Sequence, residues 1–455
     1  MRKLFGTDGV RGVANTELTP EIAFWLGMGL VRHVGGRAPG VLIGMDTRRS
    51  GHMLEAALGA GVMSAGGNAH LAGVAPTPAV AYLTKKYGLN AGAVISASHN
   101  PFLDNGIKFF DGDGFKFDEK AESAIESHMK ALAKSSGLKG AAGRPVGGQT
   151  GVRSAADNAV SDYVAHTLAV LGGQDFEGFS VVLDCANGAM YEAAPMLFGN
   201  IGAKLDIIAD APNGENINLR CGSTHMEGLA AQVLERGADA GFAFDGDGDR
   251  CLAVDENGKL IDGDQILSIL ALHYKRKGTL AKNTVVATIM SNLGLSRMCA
   301  DNGLHMEKTD VGDKYVLRAM LEKGYTLGGE QSGHIINLAH STTGDGLRTA
   351  CELLLVMKET GKKLSALAGA MEKYPQVLVN ARVPTERKNG YTSSDHITKA
   401  IKALEDRLEQ HGGGRALIRP SGTEPLVRVM IEGLDLGEIT NEANALAALI
   451  EDVLS

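Results

Sequence analysis

The stretch VISASHNPFLDNGIKFF, residues 94–110, places two serines where an apolar strand must stop. Ser96 and Ser98 follow the apolar pair Val94-Ile95, and Pro101 lacks the N–H that a continuing strand would need. A serine hydroxyl is a candidate nucleophile for group transfer. Serine is more commonly a turn residue, so this stretch alone is also typical of a polar turn. The choice depends on what the rest of the chain can place beside these hydroxyls.

A second stretch, FDGDGDRCLAVDENG at 244–258, carries alternating aspartates at Asp245, Asp247 and Asp249. On an extended loop their carboxylates can converge on a hard cation such as Mg²⁺. An EF-hand would need glycine where Arg250 stands, and helices where the flanking segments are typical of strands. An aspartate-nucleophile phosphatase fits the spacing but leaves the serine loop unexplained. A solvated acidic turn is the remaining alternative to a metal site.

The loop RPSGTEP, residues 419–425, combines an arginine, two hydroxyls and several backbone N–H groups around a glycine. These are the components of a phosphate-binding loop, because a guanidinium forks onto phosphate oxygens and a nest of amides binds anions. An ordinary hairpin turn has the same composition. The residues that would bind the phosphate are Arg419, Ser421, Gly422 and Thr423.

The loop GGEQSGH, residues 328–334, ends a predicted strand with polar residues at alternating positions. Glu330 and Ser332 suit hydrogen bonding to sugar hydroxyls, and His334 would lie near the chemistry. The beginning of a capped helix is the alternative interpretation of the same residues.

The net charge of the chain is −8, with 45 basic and 53 acidic residues. This balance argues against nucleic acid or an anionic membrane as the main partner. Several basic residues nevertheless lie in or beside glycine-rich loops, which predicts a positive cleft suited to a small phosphorylated molecule. These residues are Arg11, Lys108, Arg250, Lys314 and Arg419.

The five cysteines of the 455-residue chain are isolated, and no Cys-x-x-Cys occurs. Neither a zinc site nor a disulfide framework is therefore indicated. The basic N-terminus is not followed by an apolar stretch of the kind found in secretion signals. No apolar run reaches the roughly 18 residues of a membrane span. We expect a cytoplasmic protein in a reducing compartment.

Apolar, β-branched runs alternate with segments of helical period, which is typical of α/β proteins. Three segments share one pattern: a β-branched strand, a helical stretch, and then a second strand that runs into a polar loop. Ligands of open α/β sheets bind beyond the carboxyl ends of strands, so we expect the three loops to face one cleft. The first strands begin at Val41, Ser180 and Thr284, and the loops lie at 92–101, 240–250 and 324–334.

The last quarter of the chain has a different pattern. Residues 393–414 predict an amphipathic helix with Ser393 or Ser394 as N-cap. A β–loop–β unit around RPSGTEP follows, and a final helix is predicted from about Glu438 to Leu454. The residues expected on the apolar face of the first of these helices are Ile397, Ile401, Leu404 and Leu408.

The predicted fold is therefore α/β, with three related α/β domains plus a smaller C-terminal α+β domain around one central cleft. The glycine- and serine-rich stretch 134–153 marks the first boundary. The predicted domains are 1–150 with the serine loop, 151–255 with the aspartate loop, 256–370 with the GGEQSGH loop, and 371–455 with the RPSGTEP loop.

Four motifs in this order, SASHNP, DGDGDR, GEQSGH and RPSGTEP, resemble the α-D-phosphohexomutase superfamily. The resemblance runs from FGTDGVRG at residue 5 to the C-terminal β–loop–β unit, which is essentially the whole chain. Within the superfamily, FGTDGVRGVAN, NINLRCGSTH and GEQSGH are similar to the bacterial branch that interconverts glucosamine 6-phosphate and glucosamine 1-phosphate.

The resemblance implies a role for each loop. Ser98 would carry a phosphoryl group in the active enzyme, and it is chosen over Ser96 because the superfamily motif places its serine directly before His-Asn-Pro. One Mg²⁺ per chain would contact this phosphoserine and the three aspartates of the DGDGDR loop. The other implied roles are sugar binding by Glu330 and Ser332, binding of the untransferred phosphate by Arg419, Ser421, Gly422 and Thr423, and lining of the transfer site by Arg11, Lys108, Arg250 and His334.

The implied activity is that of an isomerase. Phospho-Ser98 would phosphorylate O1 of glucosamine 6-phosphate, and the 1,6-bisphosphate would turn round and return its 6-phosphate to the serine. Glucose or glucosamine 1,6-bisphosphate would serve as activator or intermediate, and the product would supply UDP-N-acetylglucosamine for cell-wall synthesis. The expected partner is a small phosphosugar, not nucleic acid or a membrane, and the resemblance is compatible with a homodimer.

Three alternatives stay open at this point. A phosphomannomutase or phosphoglucomutase would use identical chemistry on another sugar, because no residue visibly selects a 2-amino group. A metal-dependent sugar phosphatase would use the aspartate loop and release inorganic phosphate. A sugar-phosphate sensor would bind without turnover.

Overall fold

The computed structural model describes residues 4–6, 8–135, 144–411, 413–421 and 424–455. These residues form two compact units. The first comprises Met1–Met290 and Leu304–Ala370, and the second comprises Ser291–Gly303 and Met371–Ser455.

The first unit begins with a six-stranded sheet in the order β1-β5-β4-β2-β3-β6. Helices cover both faces of this sheet. In β2, Val41, Ile43 and Met45 pack into the core formed with α1 and α2, whereas Gly44 faces Val80 of α3. The elements are β1 (Val10–Val13), α1 (Pro20–Val34), β2 (Gly40–Met45), α2 (Gly51–Ser64), β3 (Asn68–Val74), α3 (Thr77–Lys86), β4 (Ala91–Ile95), β5 (Asp104–Asp111), α4 (Glu119–Ser135) and β6 (Arg153–Ala155).

A second sheet of the same unit has five strands in the order β11-β10-β9-β7-β8. All residues of β9 are buried, as expected for a strand covered on both faces. The elements are α5 (Ala159–Leu168), β7 (Ser180–Asp184), α6 (Met190–Gly199), β8 (Lys204–Ile208), α7 (Glu227–Arg236), β9 (Ala240–Phe244), β10 (Cys251–Asp255) and β11 (Leu260–Ile261).

The third sheet has four strands in the order β13-β12-β14-β15. The helix before it begins with a capping box, in which Asp262 accepts a hydrogen bond from the backbone N–H of Gln265. The elements are α8 (Gly263–Lys277), β12 (Thr284–Thr288), α9 (Leu293–Asp301, in the second unit), β13 (His305–Thr309), α10 (Asp313–Lys323), β14 (Leu327–Gly329), β15 (Ile335–Asn337), α11 (Gly346–Thr360) and α12 (Leu364–Ala368).

The three sheets share one arrangement. The strands β4, β9 and β14 each lie between a parallel neighbour and an antiparallel neighbour, and each runs directly into one of the three polar loops. This confirms three related α/β domains. The predicted pattern was incomplete, because another strand (β3, β8 or β13) and another helix lie between the first strand and the loop strand of each segment.

The second unit contains a three-stranded antiparallel sheet in the order β16-β18-β17, with α13 and α14 packed into its core. The predicted amphipathic helix is present with Ser394 as its N-cap; Ile397, Leu404 and Leu408 are buried and Ile401 is half-buried. The elements are β16 (Gln376–Arg382), α13 (Asp395–Gln410), β17 (Arg415–Pro420), β18 (Leu426–Glu432) and α14 (Leu436–Leu454).

Within the described ranges, every helix is too short or too polar to cross a bilayer. Residues 136–143 of the predicted first linker lie outside these ranges. The domain boundaries near 150, 255 and 370 and the single central cleft stay predictions.

Candidate active site

Ser98 lies just beyond the buried end of β4, in a left-handed backbone conformation with φ of 53°. Few non-glycine residues adopt this conformation, and it persists only where the surroundings hold it. The hydroxyl is buried and donates a hydrogen bond to Oδ2 of Asp245 at 2.5 Å. Nδ1 of His99 lies 3.2 Å from the same Oγ, and burial with the charges of Arg250 and Arg11 lowers the pKa of His99 to about 4.

The loop after β9 brings the three aspartates together. Ligand oxygens of Asp245, Asp247 and Asp249 all lie within 4.8 Å of one another, and all three side chains are buried. Oδ1 of Asp247 accepts no hydrogen bond within the described part of the chain. Burial and the two neighbouring carboxylates raise the pKa of Asp245 well above its ordinary value. Buried, converging and partly unpartnered carboxylates fit a hard divalent cation.

Lys108 projects from β5 against this triad. Its Nζ lies 2.6 Å from Oδ2 of Asp247 and 3.4 Å from Oδ2 of Asp249. Burial alone would lower the pKa of Lys108, but Asp247 and Asp8 outweigh it and raise that pKa, so the ammonium stays charged. Arg11 pairs with Asp8, whose Oδ2 is 3.8 Å from the Nζ of Lys108.

The loop after β14 brings His334 to the triad, and the loop after β9 itself adds Arg250. Nδ1 of His334 lies 3.5 Å from Oδ1 of Asp249, and Nε of Arg250 lies 4.0 Å from the same oxygen. Burial would lower the pKa of His334, but Asp249 raises it overall. Glu330 accepts a hydrogen bond from the backbone N–H of Gly312 at 3.1 Å.

The structure therefore brings most of the predicted site residues of the first unit together. Ser98, the aspartates, Lys108, Arg250 and His334 form one connected cluster, and Arg11 joins it through Asp8. Ser332 is half-buried in the turn between Glu330 and His334. A cluster of this composition can hold a divalent cation and neutralise phosphoryl oxygens beside a hydroxyl nucleophile.

The predicted phosphate loop belongs to the second unit. Arg419 of β17 lies directly opposite Arg428 of β18. Burial and the charge of Arg428 lower the pKa of Arg419. Ser421 is buried, and its hydroxyl accepts a hydrogen bond from the backbone N–H of Glu424 at 3.2 Å. Like charges opposite each other are destabilising, and Oε2 of Glu424, 3.0 Å from the guanidinium of Arg428, offsets part of this repulsion. Gly422 and Thr423 lie outside the described residues.

Several residues of the cluster were missed by the sequence analysis. Thr77 donates a hydrogen bond to Oδ2 of Asp247 at 2.6 Å, and Asn218 donates to the carbonyl of Ser98 at 2.9 Å. The buried pair Asp46 and Arg48 lies under the serine loop. One feature of the sequence could have indicated Asp46 and Arg48. They are charged residues that directly follow β2, a strand that contains no polar side chain.

Models of four protein domains match the chain in succession. Their descriptions are phosphoglucomutase/phosphomannomutase alpha/beta/alpha domain I at residues 2–136, domain II at 161–258, domain III at 262–374, and the C-terminal domain at 378–449.

Curated relatives match over the full length. The chain is 55% identical to phosphoglucosamine mutase of Ruminiclostridium cellulolyticum over 458 residues, and 51% identical to phosphoglucosamine mutase of Acetivibrio thermocellus over 457 residues. Each alignment covers 100% of both proteins.

Solved structures share the fold. A phosphoglucomutase/phosphomannomutase family protein from Burkholderia thailandensis superposes with a TM-score of 0.82 at 22% identity, covering 100% of this chain and 99% of that chain. An N-acetylphosphoglucosamine mutase from Aspergillus fumigatus, solved with GlcNAc-6P and magnesium, gives a TM-score of 0.69 at 16% identity and covers 99% and 96% of the two chains.

Proposed function

The chain belongs to the phosphoglucomutase/phosphomannomutase family, and we propose that it interconverts glucosamine 6-phosphate and glucosamine 1-phosphate through a phosphoserine at Ser98. The enzyme is an isomerase, and its substrate is a phosphosugar. Full-length relatives at 50–55% identity that are named phosphoglucosamine mutase support the amino sugar as the substrate.

One observation carries the proposed mechanism: the hydroxyl of Ser98 donates to Asp245, within the buried carboxylate triad, at 2.5 Å. Phosphoryl transfer asks a protein mainly for positioning and for neutralisation of charge on the phosphoryl oxygens. The cluster offers both, because Ser98 is fixed at a strand end, Lys108 and Arg250 bring positive charge to the aspartates, and Asp249 raises the pKa of His334.

Asp245, Asp247 and Asp249 would hold one Mg²⁺, together with the phosphate on Ser98. When bound, the ion would act as a Lewis acid that offsets charge on the phosphoryl oxygens. Lys108, already hydrogen-bonded to the triad, would keep its ammonium beside these oxygens throughout the reaction.

The first transfer breaks the bond between phosphorus and Oγ of Ser98 and forms one between phosphorus and O1 of glucosamine 6-phosphate. The O1 hydroxyl loses its proton and Oγ takes up a proton, so the serine is restored as the 1,6-bisphosphate forms. The bisphosphate turns round, and the reverse exchange at O6 returns a phosphoryl group to Oγ and releases glucosamine 1-phosphate. Glucose or glucosamine 1,6-bisphosphate would recharge any enzyme that loses its phosphate to water.

The remaining loops would orient the sugar. Glu330 and Ser332 would bind hydroxyls of the ring, and Arg419, Ser421, Gly422 and Thr423 would bind the phosphate that is not being transferred. Arg11, near His99 and Asp8, would contact the transferred group. The homodimer, the absence of nucleic-acid and membrane partners, and the cytoplasmic location stay predictions from the sequence.

The deciding experiment is product analysis with glucosamine 6-phosphate, Mg²⁺ and a trace of glucose 1,6-bisphosphate, beside glucose and mannose 6-phosphates. We expect glucosamine 1-phosphate to form fastest. A faster glucose or mannose reaction would overturn the substrate and keep the mechanism. Inorganic phosphate as the main product would overturn the mutase in favour of a phosphatase, and binding without turnover would indicate a sensor.

A further inference from the structure

Arg48 is buried, at 1% exposure, and all of its side-chain donors are used. Nε donates to Oδ2 of Asp46 at 2.9 Å. Each terminal nitrogen donates to two backbone carbonyls of the serine loop or of the first residue of β5. The four carbonyls are those of Ser98 at 2.9 Å, Asn100 at 2.8 Å, Pro101 at 2.5 Å and Asp104 at 3.1 Å.

The same ion pair also fixes the amide on the other side of Ser98. Oδ2 of Asp46 accepts a hydrogen bond from the hydroxyl of Ser96 at 2.5 Å, and that hydroxyl accepts one from the backbone N–H of Ser98 at 2.9 Å. A closed ring of hydrogen bonds therefore runs from the carbonyl of Ser98 through Arg48, Asp46 and Ser96 back to its N–H.

This ring explains how a serine keeps a left-handed conformation at the nucleophile position. With φ of 53°, the residue would relax unless both of its flanking peptide groups were held. Four carbonyl oxygens converge on the guanidinium of Arg48, and Asn218 donates to two of them, those of Ser98 at 2.9 Å and Asn100 at 3.1 Å. A guanidinium provides five N–H groups in a rigid fork, whereas a lysine ammonium provides three on a flexible stem.

We propose that Arg48 is a positioning residue for Ser98: it sets the direction of Oγ by fixing both peptide groups of the nucleophile. None of its hydrogen bonds goes to Oγ, the aspartate triad or the predicted sugar loop, so it acts through the loop backbone. The proposal rests on the proposed function, because it takes Ser98 as the phosphoryl carrier.

The test compares Arg48→Lys with Arg348→Lys, which removes another buried guanidinium, at 2% exposure, from outside the cluster. A misplacement of the nucleophile by about 1 Å costs on the order of 100-fold in rate. We expect Arg48→Lys to lower kcat by ~10–100-fold, with KM within about 3-fold of wild type. The variant should also slow the phosphorylation of Ser98 by glucose 1,6-bisphosphate to a similar extent. Intact-mass spectrometry measures this phosphorylation. Arg348→Lys should lower thermal stability while kcat stays within about 3-fold.

Ser96→Ala is the second variant, because deleting one hydroxyl from the ring leaves the ion pair in place. It should lower kcat by about 5–20-fold at unchanged KM, even if Arg48→Lys does not fold. The inference requires that wild type is phosphorylated on Ser98. It is then overturned if a folded Arg48→Lys or Ser96→Ala variant has a kcat within twofold of wild type. It is also overturned if the substitutions change KM alone. If wild type itself takes up no phosphoryl group on Ser98, the proposed function fails as well.

Discussion

The hydroxyl of Ser98 is held more tightly than a turn serine requires. It is buried at 2% exposure and donates to Asp245 at 2.5 Å. Its backbone conformation is held by Ser96 of the same loop and by two distant parts of the chain, through Arg48 and Asn218. A polar turn would need none of these contacts, so the arrangement favours a chemical role for this hydroxyl.

Ser98→Ala should remove nearly all turnover, by about 10³-fold or more, because the variant has no oxygen to carry the phosphoryl group. The variant should still bind glucosamine 6-phosphate in a calorimetric titration, since the other contacts proposed for the sugar are unchanged. Ser123→Ala, on the exposed face of α4, is the matched control and should keep wild-type turnover. Substantial activity in Ser98→Ala would end the phosphoserine mechanism.

Asp247→Asn should weaken Mg²⁺ or Mn²⁺ binding by at least ~10-fold, because it removes one negative charge and one unpartnered oxygen from the triad. Isothermal titration with each cation measures this without reference to activity. Asp113→Asn removes an exposed carboxylate that pairs only loosely with Lys85 and should leave the affinity unchanged. Equal affinities in Asp247→Asn and wild type would show that the triad is not the metal site.

The sequence was sufficient to nominate candidate site residues, because most of them stand in compact motifs directly after an apolar strand, whereas Arg11 and Lys108 lie within β1 and β5. It was not sufficient for Arg48, Asn218 or Thr77. The order of the strands and the packing of neighbouring domains bring these residues to the site. The spacing of residues along the chain does not predict either of them.

At the scale of elements, the three loops gain their precision from the strands that precede them. Each of β4, β9 and β14 is an internal strand that is buried along its whole length, so the residue after it begins at a fixed point. The sequence showed these apolar strands clearly. It did not show β8 and β13, because KLDII and HMEKT are only partly apolar and lie at sheet edges, where one side is less buried.

Asp184, at the end of β7, should make the free energy of unfolding depend on pH. Asp184 accepts hydrogen bonds from the backbone N–H of Ala186 and of Gly222, and burial raises its pKa from 3.8 to about 6. Neighbouring Cys185 and Cys221 stay neutral here, because burial raises the pKa of both thiols.

A carboxyl group whose pKa is higher in the folded state than in the unfolded state stabilises the fold while it is protonated. This contribution is fully present below the pKa of the unfolded state and is lost as the pH rises through the pKa of the folded state. The free energy of unfolding of wild type relative to Asp184→Asn should therefore fall by up to about 3 kcal/mol between pH 4 and pH 7. Urea denaturation of both proteins across this range measures the difference. A difference that does not change with pH would contradict the prediction.

At the scale of the whole molecule, the chain leaves its first unit for α9 and returns to it before β13, so the second unit is built from two separate segments. Composition and motif order predicted three α/β domains and a C-terminal domain. They could not predict that α9 belongs with the C-terminal sheet, because its N-cap Asn292 donates to the carbonyl of Tyr374 and to the side chain of Glu432, which follow 82 and 140 residues later.

Glu432 joins these two segments. It is fully buried, accepts hydrogen bonds from Asn292, from the backbone N–H of Leu293 and from Arg415, and stands at the end of β18. Removing one member of a buried ionic network destabilises by about 3–5 kcal/mol, because the remaining groups lose their counter-charge. We therefore expect Glu432→Ala to loosen α9 and the C-terminal sheet together.

Hydrogen–deuterium exchange is the suitable measurement, because it reports each segment separately and does not require reversible unfolding. In Glu432→Ala, amides of α9, β16 and β18 should all exchange faster. Glu442→Ala is the matched control: it breaks an exposed pair with Arg407, which contributes only about 0–1 kcal/mol, and should change little. If α9 kept its protection while β18 lost it, the two segments would be stabilised independently, and the role given to Glu432 would be wrong.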